Sequence, residues 1–104
     1  MARLEMIFGT LRKGGVWVSD KEWDDFVQIE IVQHFGEGFT IIPGEGRWRH
    51  SSGKFMPDKC KILIVWQENA KSLDAKIIYL RGVYKASFGL ESVLSSISTA
   101  IVSF

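Results

Sequence analysis

The sequence predicts an α+β fold: a ferredoxin-like βαββαβ sandwich, with one four-stranded antiparallel sheet and two helices on one face. Three observations predict it. The run Ile62-Leu63-Ile64-Val65-Trp66 is apolar throughout and rich in β-branched residues, and it has strand length without alternation, so it belongs inside a sheet with both faces covered. Two stretches of helical periodicity, one on each side of that run, each follow a strand-like stretch. The resulting order is strand, helix, strand, strand, helix, strand: two βα units joined by a hairpin. In that topology the strands lie in the order fourth, first, third, second. Residues 62–66 then fall in the sheet interior, as their composition demands.

Each element has its own signal. Residues 3–8 alternate, with Leu4, Met6 and Phe8 on one face and Arg3, Glu5 and Ile7 on the other. A loop follows in which Arg12 and Lys13 precede the pair Gly14-Gly15. Ser19 and Glu22 form a capping box: the serine hydroxyl accepts from a free helix amide and the glutamate reaches back. Trp23, Phe26, Val27, Ile31, His34 and Phe35 then recur at helical spacing until Gly36 and Gly38. On a regular wheel Ile29 and Val32 fall outside that stripe, so the helix is either buried broadly or carries a contact surface there. Glu30 falls inside the stripe, where snorkelling, pairing with a base and lining a cavity all remain open.

Residues 39–42 read as a strand interrupted by Pro43-Gly44, hence an edge strand or a bulge. The chain continues through residues 46–50 and reverses at 51–53. Phe55 onward returns into the central run, giving a long hairpin whose tip projects past the sheet. Asn69 or Ser72 caps a second helix with the stripe Leu73, Ile77, Leu80, Tyr84 and Phe88. Gly82 inside it costs about 1 kcal/mol relative to alanine and is read as close packing against a neighbour. Phe88-Gly89 closes the helix, and residues 91–104 form a last strand rich in Ser, Thr, Val and Ile.

Composition bounds the function classes. A chain of 104 residues is expected to be a single domain, residues 1–104. Hydrophobic residues make up 46% and charged residues 24%, the balance of an ordinary soluble globular protein. The net charge of +1 gives no argument for nucleic acid or a membrane surface as a partner. Cys60 is the single cysteine, so no intrachain disulfide can form. The amino terminus lacks an apolar signal core, and a cytoplasmic protein is expected. Four Trp and seven Phe exceed what a core of this size needs. Some aromatic surface is therefore assigned to a pocket or a subunit contact.

The ordered landmarks carry a resemblance. They are Phe8-Gly9, Val18-Ser19 with Trp23 and Phe26, Phe35 with Gly38 and Thr40, and Gly46 with Trp48. Later come Gly53, Lys61 with Leu63 and Val65, Arg81 with Tyr84-Lys85, Phe88-Gly89, Glu91-Ser92-Val93-Leu94 and the terminal Val102-Ser103-Phe104. Nearly end to end, this set resembles the uncharacterised bacterial domain-of-unknown-function family 3574. The resemblance implies no activity, because none is established for that family.

In the predicted fold three connections meet at one end of the sheet: residues 9–18, the hairpin tip around 48–54 and the turn 88–91. The candidate ligand-binding residues gathered there are Arg12, Arg47, Trp48, His50, Tyr84, Lys85 and Glu91, with Lys13, Arg49 and Lys54 nearby. A small or anionic ligand suits this basic end beside a helix amino terminus. The competing reading is ordinary solvated surface, since Asp20 and Glu22 already serve the helix end. Arg47-Trp48-Arg49-His50 has a basic-aromatic look, but strand alternation separates the arginines from Trp48 and His50, and nucleic acid is not expected. Tyr84 with Glu91 reads either as an acid–base pair or as a buried ring with a bonded hydroxyl. His34, His50, Asp58 and Cys60 lack metal-ligand spacing, so no metal and no cofactor are expected.

With helices on one sheet face only, the other presents apolar residues that a monomer would leave wet. A homo-oligomer, a dimer, is expected. Two function classes remain: a non-catalytic, self-associating module that binds a small ligand or partner, and a small enzyme of the dimeric α+β-barrel type with an apolar substrate cavity. An enclosed pocket touched by Tyr84, Glu30 or His50 favours the enzyme; a filled core favours the module.

Overall fold

Ala2, Leu4, Met6 and Phe8 alternate with Arg3, Glu5 and Ile7 along β1 (Ala2–Gly9), and only the first set is fully buried. That alternation fixes which sheet face the helices cover. The structure is a computed structural model that describes residues 1–49, 52–90 and 92–104, so two candidate site residues, His50 and Glu91, lie outside the described residues. The sheet order is β2-β3-β1-β4, all antiparallel, as the ferredoxin-like reading requires. β3 (Phe55–Gln67) lies inside it, between β2 (Thr40–Arg49) and β1. Leu63 and Val65 point into the core, whereas Ile62 and Ile64 are half-buried on the other face and Trp66 is exposed there. The central run thus has only one face covered within this chain.

The capping box forms as predicted: the Glu22 amide donates to Ser19 Oγ and the Ser19 amide to Glu22 Oε1, each at 3.1 Å. The first helix then differs from a regular wheel. α1 (Asp20–Phe26) runs into a π-helical stretch (Val27–Ile31) and on into α2 (Val32–Phe35) without a break in helical backbone. The wider turn brings Ile31 beneath Phe26 although the two are five residues apart, and both are buried with Trp23 and Phe35. The same shift turns Glu30 outward, where its carboxylate accepts from the Tyr79 hydroxyl at 2.7 Å. Ile29 and Val32 are exposed.

β2 runs through Pro43 in unbroken register with β3, which corrects the predicted interruption. Proline is tolerated because β2 is an edge strand and needs no donor on its outer side. The β2–β3 ladder extends from Thr40↔Ile64 to Arg49↔Phe55, but β1 reaches only to Gly9↔Cys60. The hairpin therefore projects beyond the sheet as an arm. Before α3 (Leu73–Phe88), Asn69 Oδ1 accepts from the Lys71 amide at 2.9 Å, while Ser72, at φ 71°, makes no side-chain cap. Leu73, Ile77, Leu80 and Tyr84 are buried as the stripe requires. Gly82 is exposed with no neighbour within 4 Å of a built Cβ, so close packing does not explain it. Gly89, at φ 66°, ends the helix, its amide donating to the Lys85 carbonyl. β4 is confined to Leu94–Thr99, shorter than predicted. Its register with β1 runs from Ile7↔Leu94 to Ala2↔Thr99, followed by the Ala100 amide donating to the Met1 carbonyl at 2.8 Å.

Candidate functional site

The end of the sheet beneath the arm holds a cleft of about 640 Å³, within the range of small-molecule sites. Four pieces of chain build it: Ile7 and Gly9 at the end of β1, the loop Leu11 to Gly15, the arm with Trp48, Met56 and Asp58, and the α3–β4 connection with Leu90, Val93 and Leu94. These are the three connections the topology predicts at this end, together with the strand that carries them.

Behind it, on the helix side of the sheet, lies an aromatic cluster that does not line the cleft. Phe8, Trp23, Phe26, Tyr84 and Phe88 meet in mostly edge-on pairs with centroids 4.8 to 6.3 Å apart. Tyr84 is fully buried among them, and its hydroxyl donates to the Gly9 carbonyl at 2.6 Å. Burial, with the charge of Asp58 adding to it, raises the phenol well above its ordinary value. Tyr84 is a fixed donor that holds the end of β1 and does not line the cleft; its pairing with Glu91 lies outside the described residues.

The loop is tied on both sides. Asp58 Oδ1 accepts from the amides of Thr10 (3.2 Å) and Leu11 (3.1 Å), and the Thr10 hydroxyl donates to the Lys59 carbonyl. Arg12 donates to the Glu22 carboxylate and lies 5.2 Å from the Phe88 ring centroid. Bonding from the Ser19 amide, and then from Arg12, holds the Glu22 carboxyl below its usual range. The amino end of α1 is thus served by the chain's own carboxylate, so an anion has no place there. Within the loop, the turn Arg12 to Gly15 closes through the Gly15 amide and the Arg12 carbonyl at 3.1 Å.

Of the candidate ligand-binding residues, Arg12 and Trp48 line the cleft, and Arg49 lines it too. Trp48 is half exposed, its ring folded back over Gly46, where any Cβ would come within 2.9 Å of the indole nitrogen. Arg47 is exposed opposite Pro57, and Lys85 sits on the last turn of α3; neither lines the cleft. Strand alternation sends Arg47 to the sheet face opposite Trp48. Glu30 is also remote, on the outer surface of the first helix.

Asp58, Leu11, Met56 and Leu90 were not singled out as ligand contacts. Asp58 carries one usable signal, an acid in a strand that passes beside the end of β1; the others are placed by tertiary packing alone. Chemically the cleft offers an aromatic and apolar wall, a basic rim and one carboxylate engaged by backbone amides. Cys60, at its back, is buried, and burial followed by the Asp58 charge pushes its thiol up, away from nucleophilic character. Among the described residues no group of three potential metal ligands gathers, and no helix is long and apolar enough to cross a membrane.

Two solved structures share the fold. A phage SAM lyase in complex with S-methyl-5'-thioadenosine superposes with a TM-score of 0.69 at 16% identity, covering 93% of this chain and 79% of its own. The apo state of a phage SAM lyase gives the same score and identity, with 93% and 78% covered. No curated protein matches the sequence. The model of the family described as "Protein of unknown function (DUF3574)" matches residues 3–104, almost the whole chain, and the protein therefore belongs to that family.

Proposed function

We propose that this protein is a non-catalytic module that binds a small ligand in the cleft at the sheet end. The observation that carries the reading is the cleft itself: about 640 Å³, apolar and aromatic at Trp48, Met56 and Leu94, basic at Arg12. Such a wall suits a flat, partly apolar molecule with a polar or anionic end. The placement of three candidate acid–base groups supports a module rather than an enzyme. Tyr84 is buried away from the cleft, Glu30 is on the far surface, and Asp58 is occupied by amides.

S-methyl-5'-thioadenosine is the first probe to use, because a fold neighbour is complexed with it and its base and thioether match this wall. Calorimetric titration should give a single site. Trp48→Ala, at a half-exposed position, should weaken binding about tenfold, in line with the ~1–3 kcal/mol of stacking a base on an aromatic ring. Binding unaffected by Trp48→Ala would place the ligand elsewhere. An enzyme is the second reading, favoured by one observation: the neighbour is a SAM lyase. Consumption of SAM by the purified chain, followed by chromatography, decides it; turnover would replace the module reading.

A further inference from the structure

The face of the sheet turned away from the helices has a composition that a free surface does not explain. By strand register, Ile42 and Trp48 of β2, Met56 and Trp66 of β3 and Leu94 of β4 lie on it, each between 41% and 51% exposed. Arg3 and Glu5 at one corner are its main charges, 3.6 Å apart, with Arg3 over the Trp66 ring. Asp58, the other charge, is engaged by two amides.

The arm extends this face. Beyond Gly9 the ladder has no β1 beside it, and the loop that follows β1 reaches the open side at Asp58. Along the arm Glu45, Arg47, Arg49 and Lys59 alternate onto the helix side together with the exposed Phe55, while Trp48 and Met56 alternate onto the open side. The open side of the arm carries none of those four charges and continues the apolar surface of the sheet.

From these two observations we infer that the occupant is a second copy of this chain, packed face to face across a two-fold axis and roofing the ligand cleft. A copy presents a matching face: apolar through β3 and at Ile42, Trp48 and Leu94, with Thr40, Ser96 and Ser98 beside them, and with one positive and one negative group near the start of β1, so that Arg3 and Glu5 can meet the partner's opposite charges in an isologous contact. Size fits as well. Four strands at about 4.8 Å spacing and about 3.3 Å rise per residue give a face of roughly 600 Å² in projection. Accessible area exceeds projection, which brings it to the ~800 Å² per partner of a standard interface. Ile7, Trp48, Met56 and Leu94 belong both to this face and to the cleft, so the copy that covers the one closes the other. This last step rests on the proposed binding site; the dimer does not.

Light scattering on the full chain should give twice the 11.8 kDa chain mass. Ile42→Lys and Trp66→Glu, at exposed positions outside the cleft, should give folded monomers by circular dichroism. Ile78→Lys on the outer surface of α3, exposed in the same measure or more, should leave the dimer intact. The monomeric variants should bind S-methyl-5'-thioadenosine at least tenfold more weakly. A wild-type monomer at 100 μM-order concentration, or a dimer lost only with Ile78→Lys, overturns the inference. A dimer that takes up no probe overturns the ligand proposal and leaves the dimer standing. Tight binding by a monomeric variant removes the roof.

Discussion

Burial of the Tyr84 hydroxyl against the Gly9 carbonyl turns a titratable group into a permanent donor at the seam between β1 and the aromatic cluster. Its neutral form is favoured at every physiological pH, because burial raises the phenol. Tyr84→Phe keeps the ring and its edge-on contacts but removes the part-buried hydrogen bond to the Gly9 carbonyl. The expected cost is about 1–2 kcal/mol, seen as a lower urea midpoint, with the ligand site unaltered in chemistry. A change of affinity without a change of stability would argue that the hydroxyl faces the ligand instead. At this scale the sequence was half legible. Arg12 and Trp48 were identifiable because a loop before a glycine pair and a tryptophan at a hairpin tip both point to the predicted sheet end. Arg47 and Lys85 share their composition but not their face, and only the settled register and helix phase separate them.

Elements were legible where a local rule decided them. The capping box, the alternation of β1 and the apolar stripe of α3 all depend on contacts within a few residues, and they stand as read. The misreadings have tertiary causes. Pro43 leaves β2 unbroken because an edge strand does not use that donor, and β4 pairs with β1 only from Leu94 to Thr99. The π-helical stretch has no local signature, and it displaced Glu30 from the core to the surface. Gly82 is exposed in the middle of α3 with open space around it. Gly82→Ala should stabilise the protein by up to about 1 kcal/mol through helix propensity and a restricted unfolded state, raising the thermal midpoint by a few degrees. A lower midpoint would mean that Gly82 serves a close contact absent from the isolated chain.

The molecule as a whole is held together at the sheet end by polar ties between elements distant in sequence. Glu22 joins the helix cap to the loop through Ser19 and Arg12, and its folded pKa is lowered. A lowered carboxylate contributes stability that is fully present above the unfolded value and is lost as pH falls through the folded one. Urea midpoints should therefore be flat down to the ordinary glutamate range, about pH 4, and decline below it. In Glu22→Gln that part of the decline should be missing, and an unchanged acid limb would show that the tie carries no weight. Fold class was legible because order and periodicity alone select a βαββαβ topology. The cleft's position followed from that topology. Its lining did not, since four separated pieces of chain converge there and no single stretch announces it.

The wide turn at Val27–Ile31 also sets a rule about length. It acts as a phase shift: upstream of it Trp23 and Phe26 face the sheet, and downstream Ile31 and Phe35 face it again. The stretch holds one residue more than a uniform helix needs to bring Ile31 onto the face of Phe26. Taking that residue out would leave the two four apart, and Ile31 and Phe35 would still face the sheet from a plain α-helix. A second deletion has no such slack and would rotate everything after it by about 100°. In this segment the residue count can fall by one with the core phase kept, but not by two.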